Sequence, residues 1–212
     1  VPVLDPASKA VIGIVTRTDL LKTLARLHPH PENYRSLATR LKKSIPAERL
    51  ALIQAVAGLA ASEHLPVYIV GGFVRDVLLS HPSADFDIVV EGDAIFLGNK
   101  LTAHYGGKLT THSRFGTARW NLSGSVYASD EPPSYLDLIS ARQEFYDHPS
   151  ALPTVEHGSI KLDLHRRDFT INTLALRLDG RHYGELHDYY GGQSDLQKRI
   201  IRVLHSLSFI DD

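Results

Sequence analysis

Two aspartates one residue apart head an apolar run in VGGFVRDVLLSHPSADFDIVV, residues 70–90. Strand side chains alternate faces with a period of two. In a strand over 85–91, Asp85, Asp87 and Val89 therefore share one face, and Phe86, Ile88 and Val90 the other. Buried charge is costly, and two adjacent carboxylates push one another toward protonation unless something compensates them. A divalent cation would do so. Hard oxygen ligands on a fixed strand suit Mg²⁺, which takes one or two carboxylates together with substrate phosphates. An arginine paired to the aspartates at an exposed strand end would do so equally well, and the spacing alone does not choose.

Upstream, Gly71-Gly72 closes VYIV and opens a helix-like run. At such a junction the backbone N–H groups and the helix dipole hold phosphate oxygens, although a plain strand-to-helix turn uses the same glycines. Arg75 falls in the first turn of that helix, where a cation is disfavoured unless an anion lies close; its neighbour Asp76 is the other candidate partner. The pattern is neither GxxxxGK[ST] nor GxGxxG, which weighs against P-loop and dinucleotide-binding readings. A third carboxylate, Asp137, sits among apolar neighbours in SYLDLIS, where it also reads as an edge-strand charge. Arg166 and Arg167 precede Asp168 in HRRDFTIN, which also reads as a solvated ion-pair face. Taken together, a glycine turn would cradle a triphosphate, strand carboxylates would hold Mg²⁺, and arginines would offset the remaining charge. Two metals can clamp the attacking and leaving oxygens of an in-line displacement. Nucleotidyl transfer, in which a 3′-hydroxyl attacks an α-phosphate and pyrophosphate leaves, is the chemistry such a set serves.

The elements that must position these residues read as mixed α/β. VPVLD and AVIGIV are strands about the turn PASK, and TRTDLLKTL has helical spacing. Residues 26–46, punctuated by His and Pro, read as a linker with one short helix; His28 and His30 lack a third ligand and read as a solvated loop rather than a metal site. AERLALIQAVAGLAASEH (47–64) predicts an amphipathic helix. VYIV and DFDIVVE are strands, and Asp93 caps a helix to about His104. GKLTTH, FGTARWNL and SYLDLIS are three strands in sequence. Residues 146–158 read as a Pro-rich loop, and 159–173 as helical. Asp179-Gly180 marks a hairpin, SDLQKR a short helix, and IIRVL a last strand. No internal repeat is visible.

Composition narrows the function classes. The 212 residues suffice for one good core with a satellite piece. There is no cysteine, so disulfides, thiolate metal sites and cysteine nucleophiles are excluded. The net charge of −1 excludes a globally basic nucleic-acid binder, so any RNA contact comes from local patches or from other parts of the protein. No apolar run approaches the roughly 20 residues of a membrane span, and nothing reads as a signal peptide. Methionine is absent even at position 1, as expected of a piece of a longer protein or of a sequence that has lost modified residues.

The motifs VGGFVRDVLL…DFDIVVEGDA, HSRFGTARW, LDLISARQEFYDHPSALPTVE, RRDFTINTLAL and GELHDYYGGQSDLQKRIIRVLHSLSFIDD closely resemble the head domain of bacterial tRNA nucleotidyltransferases and their poly(A) polymerase relatives, the class II group. They run in order from about residue 48 to 212. The resemblance implies an α/β fold of the α+β kind, with a mixed or antiparallel central sheet flanked by helices. It implies that Gly72 and Arg75, beside Gly71, bind triphosphate, and that Asp85 and Asp87 bind Mg²⁺. Asp137 would be the third catalytic carboxylate, and Arg167 would contact the nucleotide. Thr173 stands where the family more often has alanine. VPVLDPASKAVIGIVTRTDLL resembles the closing half of a CBS module, in which Thr16 and Asp19 would touch an adenosine ribose; without the opening half, a ligand-free remnant is the favoured reading. The expected organisation is a partial CBS module over 1–25, a linker over 26–46, the head over 47–206 and the start of a helical neck over 207–212. The expected partners are ATP, with CTP as a further candidate, and the tRNA 3′ end, in a cytoplasmic enzyme whose CBS modules could pair. A poly(A) polymerase, a non-catalytic adenylate sensor and a Mg²⁺-dependent phosphohydrolase are the alternatives.

Overall fold

The computed structural model describes residues 2–14, 34–81, 86–129, 134–145 and 154–204. The chain forms two compact units, residues 1–33 and 34–212. In the first, β1 (Pro2–Leu4) and β2 (Val11–Ile14) pair antiparallel, with Val3 opposite Gly13. The turn between them is set by Asp5, whose carboxylate accepts hydrogen bonds from the backbone N–H groups of Ala7 and Ser8. The two expected strands are present. The helix expected after them, with Thr16 and Asp19, lies outside the described residues, as do His28, His30 and 207–212.

The second unit is built on seven strands. They are β3 (Val67–Val70), β4 (Ile88–Val90), β5 (Gly106–His112), β6 (Thr117–Ser125), β7 (Tyr135–Ser140), β10 (Leu174–Arg177) and β11 (Glu185–Asp188). Their order across the sheet is β11-β10-β3-β4-β7-β6-β5, and every pairing is antiparallel except β4 with β7. A separate ribbon pairs β8 (Arg142–Phe145) with β9 (Thr154–His157).

The alternation of side chains divides the sheet into two faces. Ile69, Ile88, Val90, Ala118, Trp120, Leu136, Leu138 and Leu176 point into the main core. Helices cover that side: α1 (Tyr34–Ser44), α2 (Ala47–Ser62), α3 (Gly72–Leu78) and α4 (Ala94–Tyr105). Asp93 caps α4 as expected, its carboxylate accepting from the N–H groups of Ile95 and Phe96 at 2.8 and 3.0 Å. On the opposite face Tyr68, Val70, Val89 and Ala175 pack with Ile160 and Leu164 of α5 (Ile160–His165). A last helix, α6, spans Gly192–Lys198.

Several expectations change. The one short helix expected within the linker is present as α1, but it is part of the domain and not of a linker, because it buries Leu37 and Leu41, and Ile45 beyond it, in the main core. The loop of β11 sits so close to α1 that a Cβ on Gly184 would lie 2.9 Å from the backbone nitrogen of Ala38. Leu37 and Leu41, at helical spacing, are what dock α1. The loop expected over 146–158 ends in strand β9. The helix expected over 159–173 stops at His165 and resumes only as a 3₁₀ turn over Thr170–Asn172. IIRVL forms no strand, only an isolated bridge from Val203 to Phe169. The hairpin about Asp179-Gly180 forms, but with a loop that includes a 3₁₀ turn at Gly180–His182 instead of a two-residue turn.

Candidate active site

The strand carrying the aspartate pair begins at Ile88, so Asp87 precedes it and is exposed. The burial cost that made Asp87 conspicuous in the sequence is therefore not incurred. Asp85 lies outside the described residues. Register brings the remaining groups together. Ile69 pairs with Ile88, and Ile88 with Leu138. One residue further out, Val70, Asp87 and Asp137 fall in line across three adjacent strands. Ala175 pairs with Val70, and the N–H of Gly71 donates to the carbonyl of Leu174 at 2.9 Å. The glycine turn, Asp87, Asp137 and the segment before β10 thus share one end of the sheet.

Gly71 has φ 74°, in the left-handed region where a Cβ is strained. A Cβ there would also lie 3.0 Å from Arg167 Nη1, and one on Gly72 would lie 3.3 Å from Arg75 Nη2. Both guanidinium groups therefore lie against the turn. Arg75 answers the question of its partner with two. Its Nε donates to Asp76 Oδ1 at 2.9 Å and its Nη1 to Asn172 Oδ1 at 3.0 Å. Asn172 is steadied in turn by donating to Asp168 Oδ1 at 3.3 Å. Because α3 has only seven residues, anion affinity here rests on the arginines more than on a macrodipole.

Arg167 is held from behind by Asp163, a fully buried carboxylate on α5. Asp163 accepts from Arg166 Nε at 3.1 Å, from Arg166 Nη2 at 3.0 Å and from Arg167 Nη2 at 3.4 Å. The Nε of Arg167 is buried without a hydrogen-bond partner. Burial pushes the Arg167 pKa below its ordinary value, against the pull of Asp163 and Asp87. A cation that burial disfavours has something to gain from an arriving anion.

Asp137 is not on an edge. β7 lies between β4 and β6, and Arg119, directly opposite on β6, grips its carboxylate with two bonds of 2.7 Å. The Arg119 guanidinium also stacks over Tyr135, 4.1 Å from the ring centre. The hydrogen bonds and charge of Asp137 raise the Arg119 pKa, and Asp87 contributes in the same direction. Sequence reasoning missed Arg119, Asn172 and Asp163. Asp163 precedes Arg166 and Arg167 by three and four residues, a helical spacing that could have revealed it; Arg119 needed the register of two strands.

Among the described residues no group of three His, Asp or Glu is arranged to hold a metal ion. The donors present nevertheless fit one. Asp87 and Asp137 are hard oxygen ligands at adjacent register positions, and Asp137 already engages a cation, the Arg119 guanidinium.

The described residues thus form a mixed α/β domain in which two carboxylates and two arginines gather about a glycine turn. The family described as the poly A polymerase head domain matches residues 67–202, and the chain belongs to it. Over its whole length the chain is 38% identical to an A-adding tRNA nucleotidyltransferase of Geobacter sulfurreducens, of which it covers 24%. A solved CCA-adding enzyme in an apo form is 41% identical with a TM-score of 0.72, over 83% of this chain and 40% of that one. The Thermotoga maritima CCA-adding enzyme solved with tRNA is 37% identical with a TM-score of 0.67, over 83% of this chain and 37% of that one. The chain thus spans a quarter to two fifths of the length of these relatives.

Proposed function

We propose that the head expected over 47–206, within the unit 34–212, is the nucleotide-binding and catalytic head of a tRNA nucleotidyltransferase, which adds A, or C and A, to the tRNA 3′ end. The observation that carries the reading is the convergence of Gly71, Gly72, Arg75, Arg167, Asp87 and Asp137 at one sheet end in a chain of this family. CCA-adding enzymes of this likeness have been solved with CTP and with ATP. In this reading Arg75 and Arg167 bind the triphosphate against the Gly71-Gly72 turn and orient its α-phosphate toward the carboxylates. The RNA 3′-hydroxyl attacks that phosphorus, the α–β bond breaks, and pyrophosphate leaves. Asp85 and Asp87 would hold a divalent cation, Mg²⁺ by the hardness of the donors, with Asp137 beside them as the third carboxylate. Bound there, the cation supplies charge stabilisation to the transferring phosphoryl group. Arg119 keeps the Asp137 carboxylate fixed through its two hydrogen bonds. The hairpin of the first unit reads as the end of a CBS module, through which a longer protein could pair. A tRNA-processing role favours a cytoplasmic location for that protein.

The test is incubation of the full-length protein with tRNA lacking its last one, two or three nucleotides, with ATP and CTP supplied separately. Incorporation that is lost in the folded Asp87→Ala variant supports the reading. Absence of incorporation on every tRNA, or wild-type incorporation by Asp87→Ala, refutes it.

A further inference from the structure

A line of rings crosses the surface beside the nucleotide turn. Tyr189 lies 5.8 Å, centre to centre, from His187 and 6.5 Å from Tyr190, and Tyr190 lies 5.7 Å from His165. Tyr189, directly after β11, is 41% exposed. Its hydroxyl is tied to His187 Nδ1 at 2.9 Å, and Lys161 of α5 rests over its ring, 5.6 Å from the centre. The Tyr190 hydroxyl donates to the carbonyl of Lys161 at 3.0 Å. The aromatic segment and α5 are therefore clamped into one surface.

The strip's place in the fold matters. Asp188, the last residue of β11, pairs with Leu174, whose carbonyl accepts from Gly71. Two strand spacings separate β11 from β3, about 10 Å. At the other end of the strip, His165 is followed directly by Arg166 and Arg167. The carboxylates nearby already have partners. Asp188 accepts from the backbone N–H groups of Gly192 and Gln193, both at 2.9 Å, and Glu185 is engaged by His182 and His187. What the strip presents outward is ring surface and positive charge, the combination that binds single-stranded nucleic acid by stacking bases and attracting phosphates.

We propose that Lys161, His165, Tyr189 and Tyr190 seat the single-stranded 3′ end of the RNA substrate next to the nucleotide turn, with Tyr189 as the stacking platform. The proposal rests on the nucleotidyl-transfer reading above and adds to it where the RNA lies. Sheet-end residues hold the incoming nucleotide, and the ring strip holds the strand to be extended.

The test is steady-state adenosine addition by the full-length protein to tRNA lacking its terminal adenosine, with KM determined separately for tRNA and for ATP. Tyr189→Ala is expected to raise the tRNA KM about tenfold, as loss of one base–aromatic stack does, and to leave the ATP KM within about twofold. Tyr189→Phe keeps the ring, loses the bond to His187, and is expected to restore the tRNA KM. Lys161→Ala, a variant that leaves Tyr189 in place, is expected to lower the slope of log Kd for tRNA against log salt by about 0.7. An unchanged tRNA KM in Tyr189→Ala overturns the proposal, as does an ATP KM that rises in step with it, or a Tyr189→Phe defect equal to that of alanine. A wild-type protein that adds nothing to any tRNA overturns the nucleotidyl-transfer reading itself, and the strip with it.

Discussion

Asp163→Asn isolates the one buried carboxylate that stands behind the nucleotide site. The change keeps the size of the side chain and one acceptor oxygen, but removes the charge that faces Arg166 and Arg167. Breaking a buried ion pair by neutralising one partner costs about 3–5 kcal/mol. Here the two guanidinium side chains are 28% and 24% exposed, so water recovers part of that cost. The oxygen retained by asparagine keeps one bond to Arg166. The net loss should be about 2–3 kcal/mol, at and below the bottom of the buried-pair range because of that recovery. At about 2–4 °C per kcal/mol for a unit of this size, the melting temperature should fall by about 4–12 °C. Arg167 should also lose its fixed placement against Gly71, weakening ATP binding by about tenfold, the worth of one hydrogen bond to a charged group. Circular dichroism melts and calorimetric titration with ATP measure the two effects independently. A melt within 1 °C of wild type would refute the ion-pair reasoning. A lowered melt with unchanged ATP affinity would show that Asp163 supports the fold without placing Arg167.

Arg75→Ala is expected to weaken triphosphate binding by about 1.5–3 kcal/mol and monophosphate binding less, by titration with ATP and AMP; equal losses would leave Arg75 as the structural partner of Asp76 and Asn172. ATP, CTP, GTP and UTP should bind residues 1–212 within about one order of magnitude, because the groups that converge at the sheet end address phosphates; a hundredfold preference by calorimetry would place base selection in the head. Asp195 bears on pH. Hydrogen bonds from Arg202, opposed by burial and aided by Thr170, hold its carboxyl below the ordinary value. A depressed folded-state pKa gives stability that is fully present above the unfolded value near 4 and is lost as pH falls through the folded one. Stability measured between pH 5 and 2 should therefore fall less steeply in Asp195→Asn than in wild type, and parallel curves would contradict the assignment.

Much of the site was legible because its signals are local. Gly71 needed only a strand-to-helix turn, Arg75 only its place in the following helix, and Asp93 only the start of α4. The seven sheet strands were each visible in the alternation or apolar density of short segments, from VYIV to LALR. Errors came where a local signal was weak or shared. Prolines and histidines around 28–32 made the short helix read as part of a linker when its Leu37 and Leu41 join the core, and the apolar richness of IIRVL read as strand although Ile201 ends 70% exposed.

What the sequence by itself determined is the kind of residue available and its immediate backbone setting: a glycine turn, an aspartate ahead of an apolar strand, an arginine pair after a short helix. Which of them meet was decided by the tertiary structure. Strand order and register are long-range choices, made by burying one face of each strand against the helices, and a slip of one residue would reverse every face. That register sets Asp87 beside Asp137, which are 50 positions apart in sequence, and sets Arg119 opposite Asp137. Chain reversal through β10 carries Asn172 to Arg75 across 97 positions. These pairings come from packing energy distributed over the whole core, so no single stretch of the sequence contains them.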